Sequence, residues 1–192
     1  SYLTLGQISS DYDNKVLGLA EKSVLKSIAI AGGTALDRVR KALRETGDAG
    51  LAAEIILKKK PMTLVPLGKL TVHELYDKLH LIATTSGMGS SDLKAKTIAT
   101  LLQKASPIGA KYVVRISLGT LRMGVAEMTV LDSLAIAFTG EKKNKEILEH
   151  AYNICPDVGV IAETLAEKGL KGLEDISIKV GRPIKMMLAQ RV

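Results

Sequence analysis

The chain has no tryptophan, one phenylalanine and only 3% aromatic residues. Proteins that grip single-stranded nucleic acid stack bases on aromatic rings, so the sequence argues against that mode of recognition. A core of Leu, Ile, Val and Ala with so few rings suits packed helices. Cys155 is the single cysteine. One thiol supports neither a disulfide framework nor a cysteine metal cluster, which points to an intracellular protein. His73 and His80 share a helix face, but no cysteine or second acidic ligand accompanies them, and they read as surface histidines rather than metal ligands. No apolar run has the length of a membrane span. The opening Ser1-Tyr2-Leu3-Thr4 is neither a signal peptide nor a transit peptide. P-loop, zinc and nucleophile-elbow patterns are missing too, so a stand-alone helical enzyme has no catalytic constellation behind it.

What is present is apolar and basic. The 192 residues are 46% hydrophobic, enough for one good core or two closely packed halves. Lys and Arg number 27 against 20 Asp and Glu, a net charge of +7 that favours polyanionic partners.

The chain also repeats itself. Gly18-Leu19-Ala20-Glu21 opens a block over 18–31 that matches 124–137, opening Gly124-Val125-Ala126-Glu127, at nine of fourteen positions. A second pair, 48–54 and 157–163, begins Asp48-Ala49-Gly50 and Asp157-Val158-Gly159. The offsets are 106 and 109 residues, so order and spacing are kept. Tyr2 to Gly6 sits where Tyr112 to Gly119 sits in the second copy. Two copies of a helical unit are too few for a solenoid; packed together they give a pseudo-twofold body. The second copy has about forty residues of helical pattern before Tyr112 and the first has none, so the chain reads as a fragment beginning inside its first repeat.

Hydrophobic spacing predicts helices over 17–31, 34–44, 51–57, 72–85, 92–104, 107–118, 128–138, 145–153 and 158–168, with a further short one over 171–175. Thr34 and Thr71 carry N-cap patterns, the latter a capping box with Glu74. Lys58-Lys59-Lys60 reads as a solvated edge or a phosphate contact. Lys94 and Lys96 lie near a helix start, where cations are mildly unfavourable unless an external anion joins them. The segment 176–180 alternates apolar and polar residues and predicts a short strand. Gly119 and Gly124 flank Arg122 in a helix–loop–helix corner. Glycine there permits positive φ and close backbone approach, and the first amides of the next helix face outward for an anion. The plain alternative is a turn between two core helices.

The ordered set of Leu17-Gly18-Leu19-Ala20-Glu21, Thr46-Gly47-Asp48-Ala49-Gly50, Leu118-Gly119-Thr120-Leu121-Arg122-Met123-Gly124-Val125-Ala126-Glu127 and Gly181-Arg182-Pro183-Ile184 to Met187-Leu188-Ala189 resembles the N-terminal part of archaeal and eukaryotic-type ATP-dependent DNA ligases. Met186 stands where that family commonly has proline. The resemblance implies an all-α DNA-binding domain of two pseudo-twofold halves, 1–66 and 67–175, with 176–192 opening the nucleotidyltransferase domain. It implies nicked duplex DNA as partner, held through phosphates and the minor groove without sequence specificity, in replication, repair and recombination. A sliding clamp is a candidate partner. The expected location is the cytoplasm of an archaeon, or the nucleus of a eukaryote.

The residues expected at DNA are Thr46, Gly47, Asp48, Ala49, Gly50, Ser90, Ser91, Lys94, Lys96, Gly119, Thr120, Arg122 and Gly124. The Lys-x-Asp-Gly motif whose lysine takes up AMP is absent, so no catalytic residue, metal or cofactor is expected here. ATP and magnesium are implied for the longer enzyme. The competing reading is a non-enzymatic helical protein-interaction module.

Overall fold

The computed structural model describes residues 2–10, 13, 15–59, 68–121 and 126–179. The helices are α1 (Tyr2–Leu5), α2 (Glu21–Ala31), α3 (Leu36–Thr46), α4 (Ala49–Leu57), α5 (Val72–Thr84), α6 (Ser90–Lys104), α7 (Pro107–Ser117), α8 (Glu127–Thr139), α9 (Lys145–Ile154) and α10 (Val158–Glu174). A 3-10 turn, Lys142–Asn144, precedes α9. The fold is all-α, as the low aromatic content and the helical spacing led us to expect. No strand forms among the described residues, and 176–179 have no assigned secondary structure. A strand needs a ladder partner to satisfy its backbone, and alternation alone does not supply one. Val180 lies outside the described residues.

Several helix ends differ from the sequence reading for identifiable reasons. Residues 17–20 stay outside α2 because Gly18 adopts φ 58° and Ala20 is the extended N-cap. Thr34 does not cap α3. Its amide instead donates to the Ala29 carbonyl and closes the end of α2, leaving Ala35 as N-cap with no side-chain bond. Asp48 starts α4 earlier than expected by accepting from the Leu51 amide at 2.7 Å. The Thr71 hydroxyl accepts from the Glu74 amide at 3.1 Å, as the capping-box pattern requires. In α10 the helical geometry breaks at Gly169 (φ 65°, ψ −164°), which accounts for the separate segments read at 158–168 and 171–175.

The chain forms two compact units, Lys15–Leu121, and Ser1–Asn14 together with Arg122–Val192. In the first, α4 lies along α7, and α2 packs on α6 and α3. Val24, Ile28, Val39, Ala52, Ala53, Leu57, Leu79, Ile98, Leu102 and Val114 are essentially sealed from water. Gly50 allows the α4–α7 approach: a Cβ there would come 2.7 Å from the Lys111 carbonyl oxygen and 2.9 Å from Arg115 Cγ. At the α2–α6 contact, the Ser27 hydroxyl donates to the Ala95 carbonyl at 2.9 Å.

The second unit gathers α8, α9 and α10 around Leu131, Ala135, Leu148, Ala151, Tyr152 and Ile161, with Leu5 of α1 packed against them. The Tyr2 hydroxyl donates to the Asp157 carboxylate. Gly159 makes room for that tyrosine, since a Cβ would lie 2.6 Å from its ring. Lys145 and Lys142 hold the Asp132 carboxyl below the ordinary carboxylate range, at 3.0 Å and 3.1 Å, and so tie α8 to the start of α9.

The paired blocks share local structure. Ala20 and Ala126 are both extended N-caps without side-chain bonds, each followed by glutamate. Asp48 and Asp157 both cap their helices by accepting from the third amide on. Gly50 and Gly159 each sit where a Cβ would strike a neighbouring segment.

Candidate nucleic-acid interface

Two of the expected segments are brought together. α3 ends at Gly47 in the left-handed conformation (φ 67°), its amide donating to the Leu43 carbonyl. α7 runs out through Leu118 into Gly119, also left-handed (φ 65°). Only glycine takes such angles without steric cost. No atom lies within 4 Å of where a Cβ would stand at either glycine, and both face solvent. Arg115, one turn before Gly119, reaches the Asp48 carboxylate with Nη2–Oδ1 at 3.3 Å and Nε donating at 3.3 Å. Its backbone carbonyl also accepts from the Thr120 amide at 2.9 Å. Arg115 therefore clasps the turn after α3 to the turn after α7. The Thr46 hydroxyl donates within this turn, to the Ala42 carbonyl at 2.8 Å.

Within the expected set, Gly47, Gly119 and Thr120 are exposed and Thr46 and Asp48 half-buried, whereas Ala49 and Gly50 are buried, Gly50 in the α4–α7 contact. Arg122 and Gly124 lie outside the described residues. Ser90, Ser91, Lys94 and Lys96 form a separate neighbourhood at the start of α6. There Lys94 donates to the Leu17 carbonyl at 2.9 Å and Lys26 pairs with Asp92 at 3.1 Å. Lys94 thus anchors the segment before α2, while Lys96 is exposed with no side-chain partner among the described residues.

Sequence reasoning missed Arg115. Its signal was present, a lone cation inside the apolar run 112–118, four residues before a glycine. Glu54 was missed as well. Lys111 at 3.2 Å and Lys58 at 3.5 Å flank it, and the Lys111 ammonium foremost holds its carboxyl below the usual range. Among the described residues no group of three or more His, Cys, Asp or Glu could hold a metal ion, and no helix is long and apolar enough to cross a membrane.

The chain belongs to the DNA ligase family through its N-terminal region: the family model described as "DNA ligase N terminus" matches residues 1–135. Among curated relatives, the DNA ligase of Nitrosopumilus maritimus is 43% identical over 191 residues. The probable DNA ligase of Persephonella marina is 41% identical over 191 residues. DNA ligase 1 of Methanosarcina acetivorans is 40% identical over 192. Each alignment covers 100% of this chain and 32% of the relative, so the chain spans about a third of the length of these relatives.

Proposed function

We propose that this chain is the DNA-holding part of an ATP-dependent DNA ligase, gripping nicked duplex through phosphates and the minor groove without reading sequence. The observation that carries this reading is the Arg115–Asp48 clasp, which joins the turn holding the open Gly47 to the helix that ends at the open Gly119. At such glycines a backbone can approach a phosphate chain without side-chain interference, and exposed amides and hydroxyls complete the contact. Arg122 enters the groove or pairs a phosphate, and Gly124 opens the way to the first amides of α8. Lys96, Ser90 and Ser91 take phosphates at the start of α6. Asp48 acts indirectly, holding the turn with a carboxylate that is already committed to Arg115 and the Leu51 amide.

Nick sealing in replication, repair and recombination belongs to the longer protein, with ATP and magnesium held outside this chain. The segments 1–66 and 67–175 are proposed as two copies of one helical unit related by a pseudo-twofold, and 176–192 as the opening of the nucleotidyltransferase domain. A sliding clamp is a candidate partner, and an intracellular setting follows from a DNA substrate.

The test is a salt titration of binding to a fluorescent nicked duplex. The logarithm of the binding constant should fall linearly with the logarithm of salt, equally for unrelated sequences, and Arg122→Ala should flatten the slope by about 0.9. Binding that ignores salt would favour the protein-interaction reading instead. Incubated with labelled ATP and magnesium, the chain should give no labelled band at 20.5 kDa on a denaturing gel.

A further inference from the structure

A concave place lies at the end of α4 away from Gly47. Gly32, Thr34, Arg38, Ile55, Ile56 and Lys59 line a cleft of about 120 Å³ where the end of α2, the start of α3 and the end of α4 meet. Its chemistry is mixed in a way that a phosphate surface does not require. The Arg38 and Lys59 side chains have no ion-pair or hydrogen-bond partner among the described residues, and the Thr34 hydroxyl has none either. Neighbouring carboxylates are taken by other cations. Asp37 pairs with Arg40 at 3.1 Å, and Glu54 with Lys111 and Lys58. Ile55 remains 48% exposed beside the buried Ile56. The wall depends on Gly32, where a Cβ would come 2.5 Å from Ile56 Cγ2.

We propose that this cleft docks an acidic peptide of a partner protein, one that places a carboxylate between Arg38 and Lys59 and an adjacent apolar side chain on Ile55. Charge complementarity selects the acid, because two cations here lack a counter-charge. The exposed isoleucine selects a protein over a nucleic acid. Covering Ile55 gains free energy only if the partner brings apolar surface, which a sugar–phosphate backbone does not offer. Position separates this site from the glycine turns, since nine helical residues put the two ends of α4 about 13 Å apart. A protein seated here leaves Gly47 and Gly119 open to DNA.

The probe is an acetylated Leu-Asp-Glu-Leu peptide amide titrated into the uniformly 15N-labelled chain. Saturable amide shifts confined to 32–38 and 55–59 are the expected result. Arg38→Gln and Lys59→Gln should each weaken binding about tenfold, the scale of one charge-assisted hydrogen bond. Ile55→Ser should weaken it as well, while each variant keeps the spectrum of the folded chain, and Arg38→Gln and Ile55→Ser keep its affinity for nicked duplex within about twofold. Four results would overturn the proposal: no saturable binding, shifts scattered over the surface lysines, equal binding of a Gly-Asp-Glu-Gly peptide amide, or nicked duplex shifting the same amides and displacing the peptide.

Discussion

Gly50 and Gly119 are alike in sequence and opposite in what they do. Gly50 has ordinary helical angles and no room, with the Lys111 carbonyl where its Cβ would go. Gly119 has room on every side and angles that other residues avoid. Alanine at 50 must push α4 off α7, at a cost of about 1–3 kcal/mol in stability. Alanine at 119 meets no atom and costs about 1–2 kcal/mol through its left-handed backbone alone. Binding separates the two further. With both variants at a temperature where they are folded, Gly50→Ala should bind nicked duplex like the parent chain. A bulky residue at 119, such as Gly119→Val, should lose at least a factor of about ten, the order of one lost contact. Urea denaturation and fluorescence anisotropy on the same samples check both statements, and equal affinities for the two variants would remove Gly119 from the DNA surface.

At the scale of elements, α4 and α7 are joined by close packing at Gly50 and by the Glu54–Lys111 pair. The lowered Glu54 pKa fixes the sign of its pH effect. A carboxylate favoured in the folded state stabilises fully above the ordinary glutamate range, and that stabilisation is lost as pH falls through the folded value. Glu54→Gln should therefore lower the melting temperature at neutral pH, and the difference from the parent should shrink as the solution is acidified. A gap that widened in acid would contradict the pairing. Most of these elements were legible in the sequence, because α2, α4, α7 and α8 carry long apolar stripes and Thr71 and Pro107 mark helix starts, whereas Asp48 reads as part of a turn until its carboxylate is seen to cap α4. Thr34 was misread because its local pattern fits a cap equally well, and only the Ala29 carbonyl, part of the preceding helix, decided otherwise. The glycine turns were legible as turns. That Arg115 clasps them, and that Lys94 is engaged with Leu17, depends on residues 67 and 77 positions away, which no local pattern records.

For the molecule as a whole, each compact unit holds one member of both paired blocks, 18–31 with 48–54 and 124–137 with 157–163, but the segments that lead into them are exchanged. α7, from the second copy, packs on α4 of the first, and α1, from the first, packs with α10 of the second. One unit is therefore continuous, Lys15–Leu121, while the other is assembled from both sides of it. Pulsed hydrogen exchange during refolding should find the amides of α2 to α7 protected first and the Val160 amide, bound to Asp157, late. Simultaneous protection would refute this order. The Tyr2–Asp157 bond joins residues 155 apart, and closing so long a loop costs about 2 kcal/mol more than one a tenth as long. On the ribosome the consequence is a delay. The seat of α1 on α10 is translated roughly 10–30 s after α1 itself at ordinary elongation rates. Throughout that interval Tyr2 and Leu5 are side chains without their binding site, open to whatever chaperone or neighbouring chain the nascent protein meets.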